Sequence, residues 1–173
     1  EIRMLTLEER ATCPRACGLW STCYGNAMPF AHRMMHGDEL EFLLEREMEM
    51  IGAGTAVRLH QLGDFYSERY VDLWLSIVQR LDVVVFGYTA HPATSPIGRK
   101  LAVAAATMWD RFAVRFSGDY QPDAVRRAIT VRSEAEAIAA DAILCPAQIG
   151  KTASCGSCGL CWTSDRTIAF LLH

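Results

Sequence analysis

The sequence has no apolar stretch able to span a bilayer. Its longest largely apolar run, Leu101 to Trp109, falls well short of the ~20 residues a spanning helix needs. It also lacks a strong charge of one sign, since 17 Lys and Arg stand against 20 Asp and Glu for a net −3. Arg pairs such as Arg126-Arg127 are interrupted by acids and read as a solvated face, so no nucleic-acid surface is evident. No secretory signal is visible at the start, no linker divides the chain, and there is no internal repeat or low-complexity tract. These absences lead us to expect one cytoplasmic domain over residues 1–173, long enough to bury a core.

The most informative absence is that of cysteine from the middle of the chain. All seven cysteines lie in two short segments: Cys13, Cys17 and Cys23, then Cys145, Cys155, Cys158 and Cys161. Cysteines serving as small core hydrophobes would be scattered. An odd count without a secretory signal argues against a disulfide framework. Clustered thiols in a reducing compartment point to bound metal.

Between the two segments, short apolar runs alternate with amphipathic stretches, the pattern of successive βα units and a parallel sheet. The expected strands are Ile2–Thr6, Ala56–Leu62, Val83–Tyr88, Ala113–Phe116, Ala128–Val131 and Ala142–Leu144. Helices are expected from near Pro29, interrupted at Gly37 and recapped by Asp38 with Glu41; from Ser67 to Arg80; from Ser95-Pro96 through Trp109; from Pro122; and from Ser133 with Glu136 through Ala140. The fold class is therefore α/β, a partial (βα)-type parallel barrel of about six strands over 1–144, followed by a cysteine-rich metal-binding segment over 145–173. Loops at the carboxyl ends of parallel strands form the active mouth of such folds. Both cysteine groups, Gly63-Asp64, His91-Pro92, Ser117-Gly118-Asp119 and Arg132-Ser133 all follow strands, so one rim should carry them. Arg58 and His60 alternate on strand two and are read as facing the barrel interior in a core or rim role. The edge strands, one and six, would need cover from the C-terminal segment or a partner.

The second cysteine group has the form C-x9-C-x2-C-x2-C. Its compact C-x2-C-x2-C run resembles bacterial ferredoxin spacing, where one loop wraps thiolates around a [4Fe-4S] cluster. Gly156 and Gly159 let the backbone come close, and Cys145 supplies the fourth ligand. Structural zinc is the alternative there, because four cysteines also satisfy a tetrahedral ion. The first group, C-x3-C-x5-C, is followed by Tyr24. Three thiolates on one loop can hold three irons of a four-iron cluster and leave the fourth open, by the logic that separates catalytic from structural zinc. A zinc site completed by His32 or His36 is the alternative. Those two residues share one face of the expected helix, and an exposed helix face is their bland reading.

A cysteine loop after strand one, a glycine-acid turn after strand two and a (βα)5β run together resemble the partial barrel of radical S-adenosylmethionine (SAM) enzymes. More narrowly, Cys13-Pro14 through Cys23-Tyr24, Val57-Arg58-Leu59-His60 with Gly63-Asp64-Phe65, Gly87-Tyr88-Thr89, and Cys145-Pro146 through Cys161-Trp162 are similar to a phage-associated family known only by a gene-product number. The radical SAM resemblance implies that Cys13, Cys17 and Cys23 ligate a [4Fe-4S] cluster whose free iron chelates SAM. Gly63 and Asp64 would then meet the SAM amino group, and Ser117 and Arg132 its ribose and carboxylate. An electron donor would be the implied partner, and the second group would carry an auxiliary cluster. The sequence departs from that superfamily in its longer second cysteine gap, its single glycine before the acid and its short length. A noncatalytic iron–sulfur protein and a zinc-stabilised module stay open beside the enzyme, and the substrate is not legible.

Overall fold

A computed structural model describes residues 1–117 and 125–172. Among them seven strands form one parallel sheet: β1 (Ile2–Met4), β2 (Thr55–Leu59), β3 (Val83–Thr89), β4 (Phe112–Ser117), β5 (Arg127–Val131), β6 (Ile143–Leu144) and β7 (Ile168–Leu171). The sheet curls into a half-barrel in the order β1-β2-β3-β4-β5-β7-β6. The α/β partial barrel thus stands, with one strand more than expected. The additional strand is β7, which inserts between β5 and β6 and pairs with both.

The crossover helices are α2 (Asp38–Met50), α3 (Glu68–Arg80), α4 (Pro96–Thr107) and α5 (Glu134–Ala139), with short turns α1 (Glu9–Thr12), α6 (Cys155–Cys158) and α7 (Leu160–Thr163). Their starts follow local chemistry. The Ser67 hydroxyl accepts from the Tyr70 amide, and Ser95, followed by Pro96 in the first turn, accepts from Gly98. Ser133 accepts from the Glu136 amide, while the Glu136 carboxylate reaches past it to the Arg132 amide at 2.7 Å.

Two helical expectations are corrected. No helix begins near Pro29; residues 28–37 are irregular, and α2 starts directly after Gly37 with no side-chain cap. His32 and His36 therefore do not share a helical face. A network of longer reach wins here over local propensity. The Arg33 guanidinium donates to the carbonyls of Gly25, Met28 and Ala31 while pairing in a fork with Glu9 at 2.7 and 3.0 Å. The helix expected from Pro122, and Gly118-Asp119, lie outside the described residues.

Strand alternation sends Val57, Leu59, Val83, Val85, Phe112, Val114 and Phe116 to the outer face of the half-barrel. There they meet Leu40, Leu44 and Met48 of α2, Tyr70, Val71, Trp74, Ile77 and Val78 of α3, and Leu101 of α4. A smaller cluster of Val131, Ala137, Ala142 and Ala169 continues this layer under α5. Each fully buried aliphatic or aromatic side chain contributes about 1.5–3 kcal/mol. This layer is the main source of stability and leaves the inner face for other work. No helix among the described residues is long and apolar enough to cross a membrane.

Candidate metal centre

All seven cysteines are free thiols. The first group follows β1 and α1 at the carboxyl rim. Gly63 fixes its position: at φ +89° it sits under Leu7 and Thr12, where a Cβ would come within 2.6 and 2.7 Å of their side chains. That close approach lets the Asp64 amide donate to the Thr12 hydroxyl at 3.2 Å, one residue before Cys13. The Glu9–Arg33 fork anchors the other side of the loop. The Arg10 guanidinium stacks on the Trp20 ring at 4.8 Å and donates to the Trp20 carbonyl at 2.6 Å and the Asn26 side chain at 2.5 Å. Arg15 lies over the same ring at 5.6 Å. The longer second gap of C-x3-C-x5-C is thus a built, clamped loop.

The three thiols of this group share one electrostatic environment. Burial pushes the Cys13 thiol up to about 12, and the charges of Asp64, Cys17 and Cys23 add to it. Cys17 is also raised, mainly by burial, with Asp64 and Cys23 contributing. Protein alone therefore holds Cys13 and Cys17 as neutral thiols; a coordinated cation reverses that and deprotonates a ligating thiol outright. The Tyr24 hydroxyl donates to the Gln61 carbonyl, which pins the end of the loop to the segment after β2.

Asp64 is buried and its carboxylate is engaged. One oxygen accepts from the Phe65 amide at 2.8 Å and the other from the Ala90 amide at 2.7 Å, tying the turn after β2 to the end of β3. Burial raises its carboxyl against the pull of His91 and these donors. Ser117, at the end of β4, donates to the Thr89 carbonyl at 2.9 Å. Arg132 is exposed beyond β5. Gly63 and Asp64 thus adjoin the first cysteine group, Ser117 is tied to the end of β3, and no contact links Arg132 to the cysteines. His60 does not face the barrel interior as expected. It is buried against Phe65 and Tyr70 on the α3 side, with Nε2 and the Tyr70 hydroxyl 3.1 Å apart.

The second group occupies the inner face of the sheet. Cys145 follows β6, and its amide donates to the Ala169 carbonyl of β7 at 2.8 Å. From there the chain turns back over the inner face through α6 and α7. Ser154 and Ser157 form a reciprocal capping box that starts the turn bearing Cys155 and Cys158. Cys145, Cys155, Cys158 and Cys161 line one small pocket with Trp162 and Ile168. Trp162 packs on Phe86 of β3 with ring centroids 4.5 Å apart. Gly156 reaches Ile2 of β1, so the segment lies across the sheet from β7 to β1.

Two residues of the inner face hold this segment. Arg115 of β4 is fully buried and donates to the carbonyls of Cys161 at 3.0 Å, Ser164 at 2.5 Å, Arg166 at 2.8 Å, Leu160 at 3.3 Å and Arg127 at 3.4 Å. Tyr88 of β3 stands beside it in register, its hydroxyl 2.8 Å from the Cys161 sulfur. Burial raises the Cys161 thiol, while the Tyr88 hydrogen bond and Arg115 pull it down. Sequence reasoning gave neither residue a role at the site; Tyr88 entered only within the Gly87-Tyr88-Thr89 motif. Their signal was parity: each lies an even number of residues from a neighbour on the inner face.

The donor chemistry of both groups, all thiols, is that of a soft metal centre, whether iron–sulfur or zinc. Asp64 adjoins the first group with both carboxylate oxygens on backbone amides, and the pocket of the second group is apolar. Among the described residues, no three His, Cys, Asp or Glu side chains are gathered so as to hold a single ion. A family model described as Gene product 88 matches residues 4–164. No curated protein matches the chain, and no solved structure does.

Proposed function

The chain belongs to the Gene product 88 family, the numbered phage gene-product family its motifs resemble, and from its two cysteine groups we propose that it is an iron–sulfur protein. The observation carrying this reading is the shared pocket of Cys145, Cys155, Cys158 and Cys161, closed over the inner sheet face by Arg115. These four thiolates would complete a cluster and leave no open position, which suits electron transfer. The clamped loop of Cys13, Cys17 and Cys23 would hold a second four-iron cluster by three of its irons. Three protein ligands would leave the fourth iron open to an exogenous ligand.

The finer proposal is a radical SAM-like enzyme, in which SAM bound to that iron supplies a carbon radical on reduction. The residues present support it in part. Gly63 and Asp64 adjoin the three cysteines, but the two Asp64 oxygens already accept backbone amides, so a SAM amino group would have to share them. Ser117 is spent on Thr89 and Arg132 is exposed, which favours other residues for the ribose and carboxylate. The protein's part is to position ligand and cluster and to keep water out.

Anaerobic isolation should yield a brown protein with matching iron and acid-labile sulfide; zinc without sulfide would refute the proposal. Adding SAM to the reduced protein separates enzyme from redox protein. A changed cluster EPR signal with 5′-deoxyadenosine release supports the enzyme, and neither appearing supports a noncatalytic electron carrier.

A further inference from the structure

The inner face of the sheet carries two arginines in contrasting states. Arg115 is fully occupied by backbone carbonyls. Arg58 of β2 has no hydrogen-bond or ion-pair partner among the described residues, and its Nε is buried without an acceptor. It lies opposite Phe86 in register, so it projects from the same face as Phe86 and Tyr88. On one side Tyr24, at the end of the first cysteine loop, is bonded to Gln61, three residues beyond Arg58; on the other Tyr88, two residues beyond Phe86, is bonded to Cys161. Arg58 therefore stands between the two cysteine groups, inside the half-barrel.

A guanidinium nitrogen withdrawn from water without an acceptor is costly, and an anion from outside the chain would complete it. The geometry points to Arg58 as the anchor of a binding site for a small carboxylate, held in the mouth between the two cysteine groups. The planar guanidinium edge matches a carboxylate bidentately. One guanidinium edge takes one planar carboxylate, and the far carboxylate of a diacid can stay in water, whereas the whole charge of a compact phosphate would meet a single cation beside thiolates that are themselves anionic when they ligate metal. Arg115, on the same face, is already committed to backbone carbonyls. This site rests on an exogenous ligand binding at the first cysteine group, as proposed above, and names the class of ligand: a substrate bearing a carboxylate.

The test is arginine footprinting of the full chain, isolated anaerobically, with phenylglyoxal and peptide mass spectrometry. Iron is measured on the same sample. Succinate is the carboxylate probe and inorganic phosphate the comparison. Saturating succinate should slow modification of Arg58 at least tenfold and leave exposed Arg3 unchanged. Succinate should also raise the melting temperature of the wild type but not that of Arg58→Gln. Equal modification of Arg58 with and without succinate would overturn the inference, as would protection by phosphate alone. Full protection by the loaded iron before any anion is added would overturn it too, because Arg58 would then serve only as counter-charge to the clusters. A sample without iron that still shows succinate protection keeps the anion site and sinks the iron–sulfur reading, so the two failures are separable.

Discussion

Replacing Arg115 with methionine should release the C-terminal cysteine segment from the inner face. The stem is kept and the guanidinium removed. Its shortest bonds, 2.5 Å to Ser164 and 2.8 Å to Arg166, both run from a buried cation to backbone carbonyls of that segment. Hydrogen bonds to charged groups contribute about 1.5–3 kcal/mol each, so these two alone account for about 3–6 kcal/mol. The segment lies near the chain end and can peel away from the sheet. The loss should therefore appear first as local opening and only partly as global unfolding. An opening made easier by about 3 kcal/mol raises the exposed population roughly a hundredfold. Labelling of Cys161 in the reduced, metal-free protein by a thiol reagent, followed by peptide mass spectrometry, should accelerate by that factor. Cys17, in the other group, should keep its wild-type rate. An unchanged Cys161 rate, with urea stability within about 0.5 kcal/mol of wild type, would show that the arginine does not hold this segment.

Other perturbations separate the remaining parts of the account. Tyr88→Phe removes the Tyr88 hydroxyl from the Cys161 sulfur; a differential loss of about 1.4 kcal/mol between oxidation states would move a one-electron potential about 59 mV downward, readable by a redox titration of the cluster proposed for the second cysteine group. His60 is held neutral by burial, its folded value lowered to about 3 from 6.5. Its contribution is complete above pH 6.5 and is lost as pH falls toward 3, at about 1.4 kcal/mol per pH unit, so denaturant midpoints should decline over that window and His60→Gln should flatten the decline. Glu9 is held below its ordinary value by Arg33, so its share persists above 4.5 and disappears at lower pH, and Glu9→Gln should remove that lower step. Gly87→Ala would place a Cβ 1.3 Å from the Leu59 carbonyl oxygen, and expression should give no folded protein, because β2 and β3 cannot pair around it.

What the sequence revealed and what it hid follow from the range of the forces involved. Strands such as Val83–Thr89 and caps such as Ser67 and Ser95 are set by residues within a few positions, and they were legible. Strand β7 was not, because Ile168–Leu171 is only four residues long and its place between β5 and β6 depends on partners far away in sequence. Residues 28–37 read as helical from Pro29, yet Arg33 takes their carbonyls into a network centred on Glu9. Cysteine spacing announced two groups, but not that the second would fold across the inner face. Nor did it show that Arg115 and Tyr88 would hold it, since that contact joins β3 and β4 to a segment more than 40 residues on.

The central claim is that each cysteine group binds its own iron–sulfur cluster. Native mass spectrometry of anaerobically isolated protein tests it most directly, comparing wild type with a Cys13, Cys17, Cys23→Ala triple variant and a Cys155, Cys158, Cys161→Ala triple variant. Two four-iron clusters in the wild type, with each triple variant keeping the other group's cluster, is the predicted result. A wild-type mass carrying zinc, or no inorganic sulfide, would contradict it.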